Sequence, residues 1–511
     1  MTRACKTFIA DDLEWTDAPL WTQFESWARA DPAALALVAP GQGQLTRAQL
    51  AAMTLDAAVH LRRHGVGAGD RVLLLARKSA DTAAAALAVS SLGAIVCPYA
   101  PDLGRAERAV LLQRLRHVAL IDAVEGGAAA IPGLQGLRLQ MRERSELPAP
   151  DPRDALAALI GFTSGTTGVP KGVMHSSAAM NYASRACERI AGLQAGDAIA
   201  GLVPLASAPG FTFTLHFALS RGRALVLVDP WEPKSALAAI DRFACRWAMC
   251  VPTQLAAMIE SARSGQWNKP SPMRAIAVGG SAMTPELVSG AERHLGLQVL
   301  RMYGMSECMG HASTRLADPI ETRHGSDGKP FAGTDDAAFD AQCRRLAPGE
   351  RGQAGVRGPS LFLGYAQGLG DNEARYTPDG HYLTGDEIVV DSRGHLRVVG
   401  RIKDQIIRGG YNIDPAEVEA ALLRHPAIAV VAIVAVPEQR LGEQACAVCC
   451  IREGTLAPTL EELKSHLDDI GLSKKKWPEH LLIVAQLPLT ATGKVDKKQL
   501  SRSAIAALAG R

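Results

Sequence analysis

Short, nearly continuous apolar runs at residues 71–76, 93–99, 117–121 and 155–162 read as buried strands, with helix-like stretches between them. Further runs at 224–228, 247–251, 275–278 and 299–303 continue the pattern. Strand and helix in alternation predict an α/β fold of layered, largely parallel sheets, because parallel neighbours need a crossover and a helix supplies it. A proline-rich connection, Pro148, Pro150 and Pro152, precedes the run at 155. From 351 to 399 the segments shorten, alternate and are separated by glycines, which predicts a small antiparallel β subdomain. After Arg401 the order changes to a helix at 415–423, a strand at 429–436, a helix at 460–470 and a strand at 481–484, a compact α+β unit. The expectation is a large N-terminal domain over 1–401, a short connection at 402–404 and a small C-terminal domain over 405–511.

A chain of 511 residues is large enough for more than one core. A net charge of +3 gives no electrostatic reason to expect nucleic acid or an anionic membrane as partner. Residues 82–99 are long and uncharged, but Ser90, Ser91 and Gly93 in their middle fit a core helix, turn and strand; residues 427–436 are too short to cross a bilayer. The opening MTRACKTFIADDLEW has no apolar stretch of signal-peptide length before acidic residues intervene, so a cytoplasmic location is expected. Ten cysteines in a chain of this length form no disulfide framework. Cys446 and Cys449, with Cys450 beside them, have CxxC spacing but no second pair or histidines; in a strand, positions three apart face opposite sides, so they read as ordinary strand residues.

The segment FTSGTTGVPKG, residues 162–172, is the chemically richest stretch. Its hydroxyls Thr163, Ser164, Thr166 and Thr167 are donors, and Gly165, Gly168 and Gly172 let the backbone fold closely around an anion. Lys171 adds a point charge, and a buried strand leads into the loop, so a polyphosphate cradle is expected. The spacing is not that of a Walker A loop, in which four residues separate the glycines and Lys-Ser/Thr follows.

Further segments extend this picture: VGGSAM at 278–283, RMYGMSE at 301–307, YLTGDE at 382–387, GRIKDQIIRGGYNIDPAEVE at 400–419 and LPLTATGKVDKKQL at 487–500. In content and order they resemble the adenylate-forming superfamily of acyl-CoA synthetases, carrier-protein adenylation domains and luciferases, over most of the chain. The resemblance implies that 1–401 is an AMP-binding adenylation domain and 405–511 a mobile one. It also implies a two-step reaction in which a carboxylate attacks the α-phosphate of ATP and a thiol then displaces AMP. Glu307 would hold Mg²⁺ as a hard oxygen ligand. Tyr303 would offer a flat face to adenine, with Met302, Gly304, Met305 and Ser306 along the nucleotide. Gly280, Ser281 and Ala282 would form a small-residue turn beside adenine and the acyl carboxylate. Asp386 would accept from the ribose hydroxyls, Arg401 would reach ribose or phosphate, and Thr167 would share in catalysis. Lys494 would stabilise charge building up at the α-phosphate and carboxylate. Lys403 would be the hinge about which the small domain rotates, withdrawing Lys494 and bringing Gly409 and Gly410 to the site, where a narrow pantetheine arm needs small residues. The plain alternatives are a helix-start glutamate, a turn aspartate and a solvated lysine; joint order and spacing favour the chemical reading.

One departure from the family concerns the acid. Many relatives place a histidine where VPLASAPGFTF has Ser207, which leaves a roomier wall that Phe211 and Phe213 could refill. Ser207, Phe211, Val251, Gly279, Met302 and Met305 are the candidate pocket residues, with core packing as the plain alternative. No charged residue lies between Val203 and Leu215, so an aromatic, alicyclic or medium-chain carboxylate is expected rather than a dicarboxylate or amino acid. The expected cofactors are ATP, Mg²⁺ and CoA. The competing readings are a stand-alone enzyme that loads a carrier-protein phosphopantetheine and, from another class, a non-catalytic acyl or nucleotide sensor. A sensor would be expected to lose the lysine, glutamate or aspartate that this chain keeps. Lys474, Lys475 and Lys476 could meet CoA phosphates or be a solvated surface, and a monomer or homodimer is expected.

Overall fold

The computed structural model describes residues 5–124, 129–163, 171–265, 267–268, 271–281, 283–369, 376–408, 411–438, 440, 442–490 and 493–509. Two compact units divide the chain: Met1–Asp336 with Val356–Arg375, and Ala337–Gly355 with Tyr376–Arg511. The expected connection at 402–404 falls inside the second unit.

The first unit holds two mixed sheets. Among the described residues, one is seven-stranded, in the order Gly364–Tyr365, Lys171–Ser176, Ala157–Thr163, Ile95–Tyr99, Arg71–Leu75, Ala119–Ala123, Leu137–Met141. Its centre is parallel, as the apolar runs predicted, and antiparallel strands close both edges. Three strands of this sheet start two residues later than their apolar runs, Ile95–Tyr99 among them. Residues Pro152–Ala155 form a 3-10 turn capped by Asp151, so the strand before the phosphate loop begins at Ala157. The run at 117–121 pairs as Ala119–Ala123, with buried His117 bonding back to the Leu115 carbonyl at 3.0 Å. The helix Ala80–Ser91 is buried along nearly its whole length, and its alanines make that possible by letting a helix with no polar face sit between neighbours.

The second sheet is nine-stranded, and its central strands Leu225–Leu227, Ala198–Gly201, Cys245–Cys250, Ala275–Gly279 and Gln298–Tyr303 are parallel. Gly279 lies beside Met302, so the last two strands end together. Lys78, in the loop after Arg71–Leu75, ties the sheets: its ammonium donates to the carbonyls of Leu202 at 2.8 Å and Val228 at 2.9 Å, just beyond two strands of the second sheet.

The second unit carries most of a four-stranded sheet, Asp335–Phe339, Arg351–Arg357, Tyr382–Val390 and Leu396–Arg401, slightly longer than the 351–399 subdomain expected. It also holds a five-stranded sheet in which Gly442–Ile451 pairs antiparallel with Ile428–Glu438 and parallel with His480–Ile483. Helices Pro415–Leu422, Leu460–Asp469 and Lys497–Ala509 complete this α+β body. Cys446 packs in one apolar cluster and Cys449 in another, on opposite faces of the strand. No group of three or more potential metal ligands from His, Cys, Asp and Glu occurs among the described residues, and none of their helices is long and apolar enough to cross a membrane.

Candidate active site

Thr163 and Lys171 are cross-strand partners at the ends of paired strands, so the phosphate-loop residues between them leave and return at one point of the sheet edge. Ser164, Gly165, Thr166, Thr167 and Gly168 lie outside the described residues. The flanking glycines are tight: a side chain at Gly161 would run into Ala208, and one at Gly172 would stand 3.1 Å from Ala366 and from Ile160.

Lys171 and Glu307 meet around one aromatic ring. The Lys171 ammonium sits 4.8 Å from the centroid of Tyr365, whose hydroxyl donates to Glu307 Oε1 at 2.6 Å. Glu307 is buried, and Oε2 accepts no hydrogen bond among the described residues. One carboxylate with a free oxygen suits Mg²⁺, which usually takes one or two carboxylates and completes its octahedron with phosphate oxygens and water. The Glu307 backbone is held on both sides: its carbonyl accepts from Phe362 N at 2.8 Å, and the preceding carbonyl, Ser306, faces His175 Nε2 at 2.7 Å. Burial pushes the His175 imidazole down to about 4, so the neutral ring donates from Nε2 to Ser306.

Tyr303 ends its strand with Met302, and both are buried. The Tyr303 ring meets His311 edge-on at 4.4 Å, and His311 Nδ1 is 2.7 Å from Asp336 Oδ1, both of these groups buried. Gly304 packs against the backbone of Gly310, where a Cβ would meet N at 2.7 Å. Gly279 is equally close to the Met302 carbonyl, at 2.5 Å, and Gly280 has φ +90, a turn that favours glycine. Gly280 and Ser281 are exposed just past that strand end, while Ala282 lies outside the described residues.

In the expected acyl segment, Ser207 caps a helical run: its hydroxyl accepts from Gly210 N at 3.0 Å and donates to the Pro204 carbonyl at 3.3 Å. Its oxygen is engaged in shaping the backbone. The run continues as a π-helical segment, Phe211–His216, fully buried. Phe213, Phe331 and Met302 converge on Gly310, where a Cβ would stand 2.8, 3.3 and 3.4 Å from them. Phe211 and Val251 are buried, Met305 half-buried. His216 is the one titratable group in the π-segment; burial pushes it down to about 3, so it is neutral there, with Nδ1 3.2 Å from the Ser184 hydroxyl.

The remaining candidates belong to the second unit. Asp386 and Arg401 are cross-strand partners, with Arg401 Nε donating to Asp386 Oδ1 at 2.8 Å. Lys494 ends a tight turn: its backbone N donates to Thr490 Oγ1 at 3.2 Å, its carbonyl accepts from Thr490 N at 2.7 Å, and Leu489 bridges Val495. The turn leads directly into helix Lys497–Ala509, whose Lys497 pairs with half-buried Glu419 at 2.6 Å. Gly409 and Gly410 lie outside the described residues, as does the side chain of Lys403.

Sequence reading did not find Tyr365, His311 or Asp336. Tyr365 stands in the apolar run LFLGYA and its partner is 58 residues away, so the sequence signals only core.

A profile described as AMP-binding enzyme matches residues 24–366, and one described as AMP-binding enzyme C-terminal domain matches 417–494. The protein is an AMP-binding enzyme. Its relatives among curated proteins include a salicyl-AMP ligase / salicyl-S-ArCP synthetase of Mycobacterium tuberculosis, 31% identical over 96% of this chain and 91% of that protein. They also include a medium-chain fatty-acid–CoA ligase of Escherichia coli, 29% identical over 94% of this chain and 90% of that protein. An anthranilate–CoA ligase solved with anthranoyl-AMP shares the fold, with TM-score 0.83 and 23% identity over 96% of this chain and 98% of that one. This AMP-binding enzyme therefore belongs to the adenylate-forming superfamily, with its large N-terminal and small C-terminal domains, and uses ATP to activate an acid.

Proposed function

We propose that this AMP-binding enzyme is an AMP-forming acid–CoA ligase for a hydrophobic carboxylic acid, aromatic, alicyclic or medium-chain. The observation that carries the acid class is the buried segment 208–220, which holds no charged side chain and whose single histidine is kept neutral. A second carboxylate or an ammonium group there would lose its hydration with no partner of opposite charge. The medium-chain fatty-acid–CoA ligase supports CoA as acceptor. The salicyl-S-ArCP synthetase supports the second reading, a carrier-protein thiol.

In the first step a carboxylate oxygen bonds to the α-phosphorus of ATP and pyrophosphate leaves; in the second, a thiolate attacks the acyl carbon and AMP leaves. Lys494 stabilises the charge on the α-phosphate and carboxylate during the first step. Lys171 offers its ammonium to the phosphates, Tyr303 stacks on adenine, and Asp386 with Arg401 receives the ribose. Mg²⁺ held by Glu307 would neutralise phosphate charge. Lys403 is assigned the hinge between 1–401 and 405–511, and Gly409 and Gly410 the pantetheine approach. The test is pyrophosphate release over a panel of carboxylic acids with and without CoA. Turnover that depends on CoA is expected; a single round of adenylate formation indifferent to CoA would favour carrier loading. Lys494→Ala should abolish pyrophosphate exchange into ATP yet still form thioester from a supplied acyl-adenylate, and normal exchange by this variant would remove the assignment.

A further inference from the structure

We propose that Tyr365 is a positioning residue that keeps the cationic and anionic halves of the phosphate site apart, an inference that rests on the adenylation reading. Lys171 and Glu307 carry opposite charges beside the same ring, yet no ion pair joins them; the tyrosine stands between. A direct ammonium–carboxylate pair would neutralise both groups, leaving neither for a phosphate or a metal. The ring takes the ammonium on its face by cation–π attraction, which is weak enough to yield to a phosphate oxygen. The hydroxyl takes Oε1 by a short charge-assisted hydrogen bond, which fixes the carboxylate plane and leaves Oε2 for a cation.

The surroundings hold Tyr365 in place for this task. It is 4% exposed and lies on the two-residue strand Gly364–Tyr365, antiparallel to the strand that begins at Lys171. Arg153 Nη2 donates to its carbonyl at 2.9 Å, and the Phe362 ring packs edge-on at 5.2 Å. Two main-chain bonds around Gly172, from its N to Leu369 O at 2.8 Å and from Ala366 N to its carbonyl at 2.7 Å, lock the same edge. Ring position is thus set by backbone pairing, and the hydroxyl is the part that acts on Glu307.

Tyr365→Phe keeps the ring and removes only the hydroxyl; Tyr365→Leu removes both. ATP binding by isothermal titration, in Mg²⁺ and again in EDTA, separates their effects without reference to turnover. Tyr365→Phe should weaken MgATP on the order of tenfold, the low end of the worth of one hydrogen bond to a charged group, and leave metal-free ATP binding unchanged. Tyr365→Leu should weaken ATP in both conditions, because Lys171 is then free to pair with Glu307. Glu307→Gln should reproduce the metal-specific loss, a check that holds even where Tyr365→Phe does not fold. MgATP binding by Tyr365→Phe equal to the wild type, or a Tyr365→Phe loss equal with and without metal, overturns the proposal alone; MgATP binding by Glu307→Gln equal to the wild type overturns it together with the Mg²⁺ role of Glu307. A wild-type protein that binds ATP in neither condition overturns the adenylation reading and this proposal with it.

Discussion

Asp386 and Arg401, the pair proposed to receive the ribose, should matter to binding and little to stability. The carboxylate is buried and the guanidinium side chain 58% exposed, so the pair is half-screened by water. Asp386→Asn should therefore raise KM for ATP about tenfold, the loss of one charged acceptor toward ribose, with a nearly unchanged melting temperature; steady-state kinetics beside a thermal melt checks both. The same scale marks the limit of reading a sequence. Glu307, Lys171, Asp386 and Lys494 stand out as site candidates because their residue types sit in ordered motifs. Tyr365 and the His311–Asp336 pair behind Tyr303 do not, since each depends on a partner distant in the chain. Ser207 shows a subtler case: its identity was noticed for the room it leaves, while its hydroxyl is engaged in a helix cap.

Elements were read best where burial dictates pattern. The central parallel strands and the alanine-rich helix Ala80–Ser91 follow from apolar runs and their punctuation. The edge strand Leu137–Met141 and the π-helical turn Phe211–His216 were not anticipated, because edge pairing and a local widening of the helix leave little periodic trace. Lys78 is another feature visible only in three dimensions: burial pushes it down to about 8, against the pull of Asp229, and its two carbonyl bonds join the two sheets. Lys78→Met should cost about 1–3 kcal/mol, since the carbonyls lose their donor; urea unfolding would measure it, and a cost near zero would show that the sheets are held by apolar packing alone.

For the whole molecule, buried neutral histidines make stability depend on acid. The folded pKa of His216 lies below its ordinary value, so the unfolded chain binds its proton more readily. The stability it supports is complete above about pH 6.5 and is lost as pH falls toward 3. Replacing it by a non-titrating side chain, His216→Leu, should flatten the stability–pH curve between pH 6 and 4 by up to about 1.4 kcal/mol per pH unit, as urea midpoints across that range would show. An unchanged slope would assign acid sensitivity to other groups.

The lysine turn of the second unit carries a consequence of its own. Thr490 clasps Lys494 through backbone and hydroxyl, Leu489 and Val495 bridge across it, and Lys497 anchors the following helix to Glu419. The backbone of Lys494 is thus fixed to the body beneath it, and its ammonium reaches out from that anchor on a flexible four-carbon stem. Damage to helix Lys497–Ala509 should then loosen the anchor from which that ammonium reaches out.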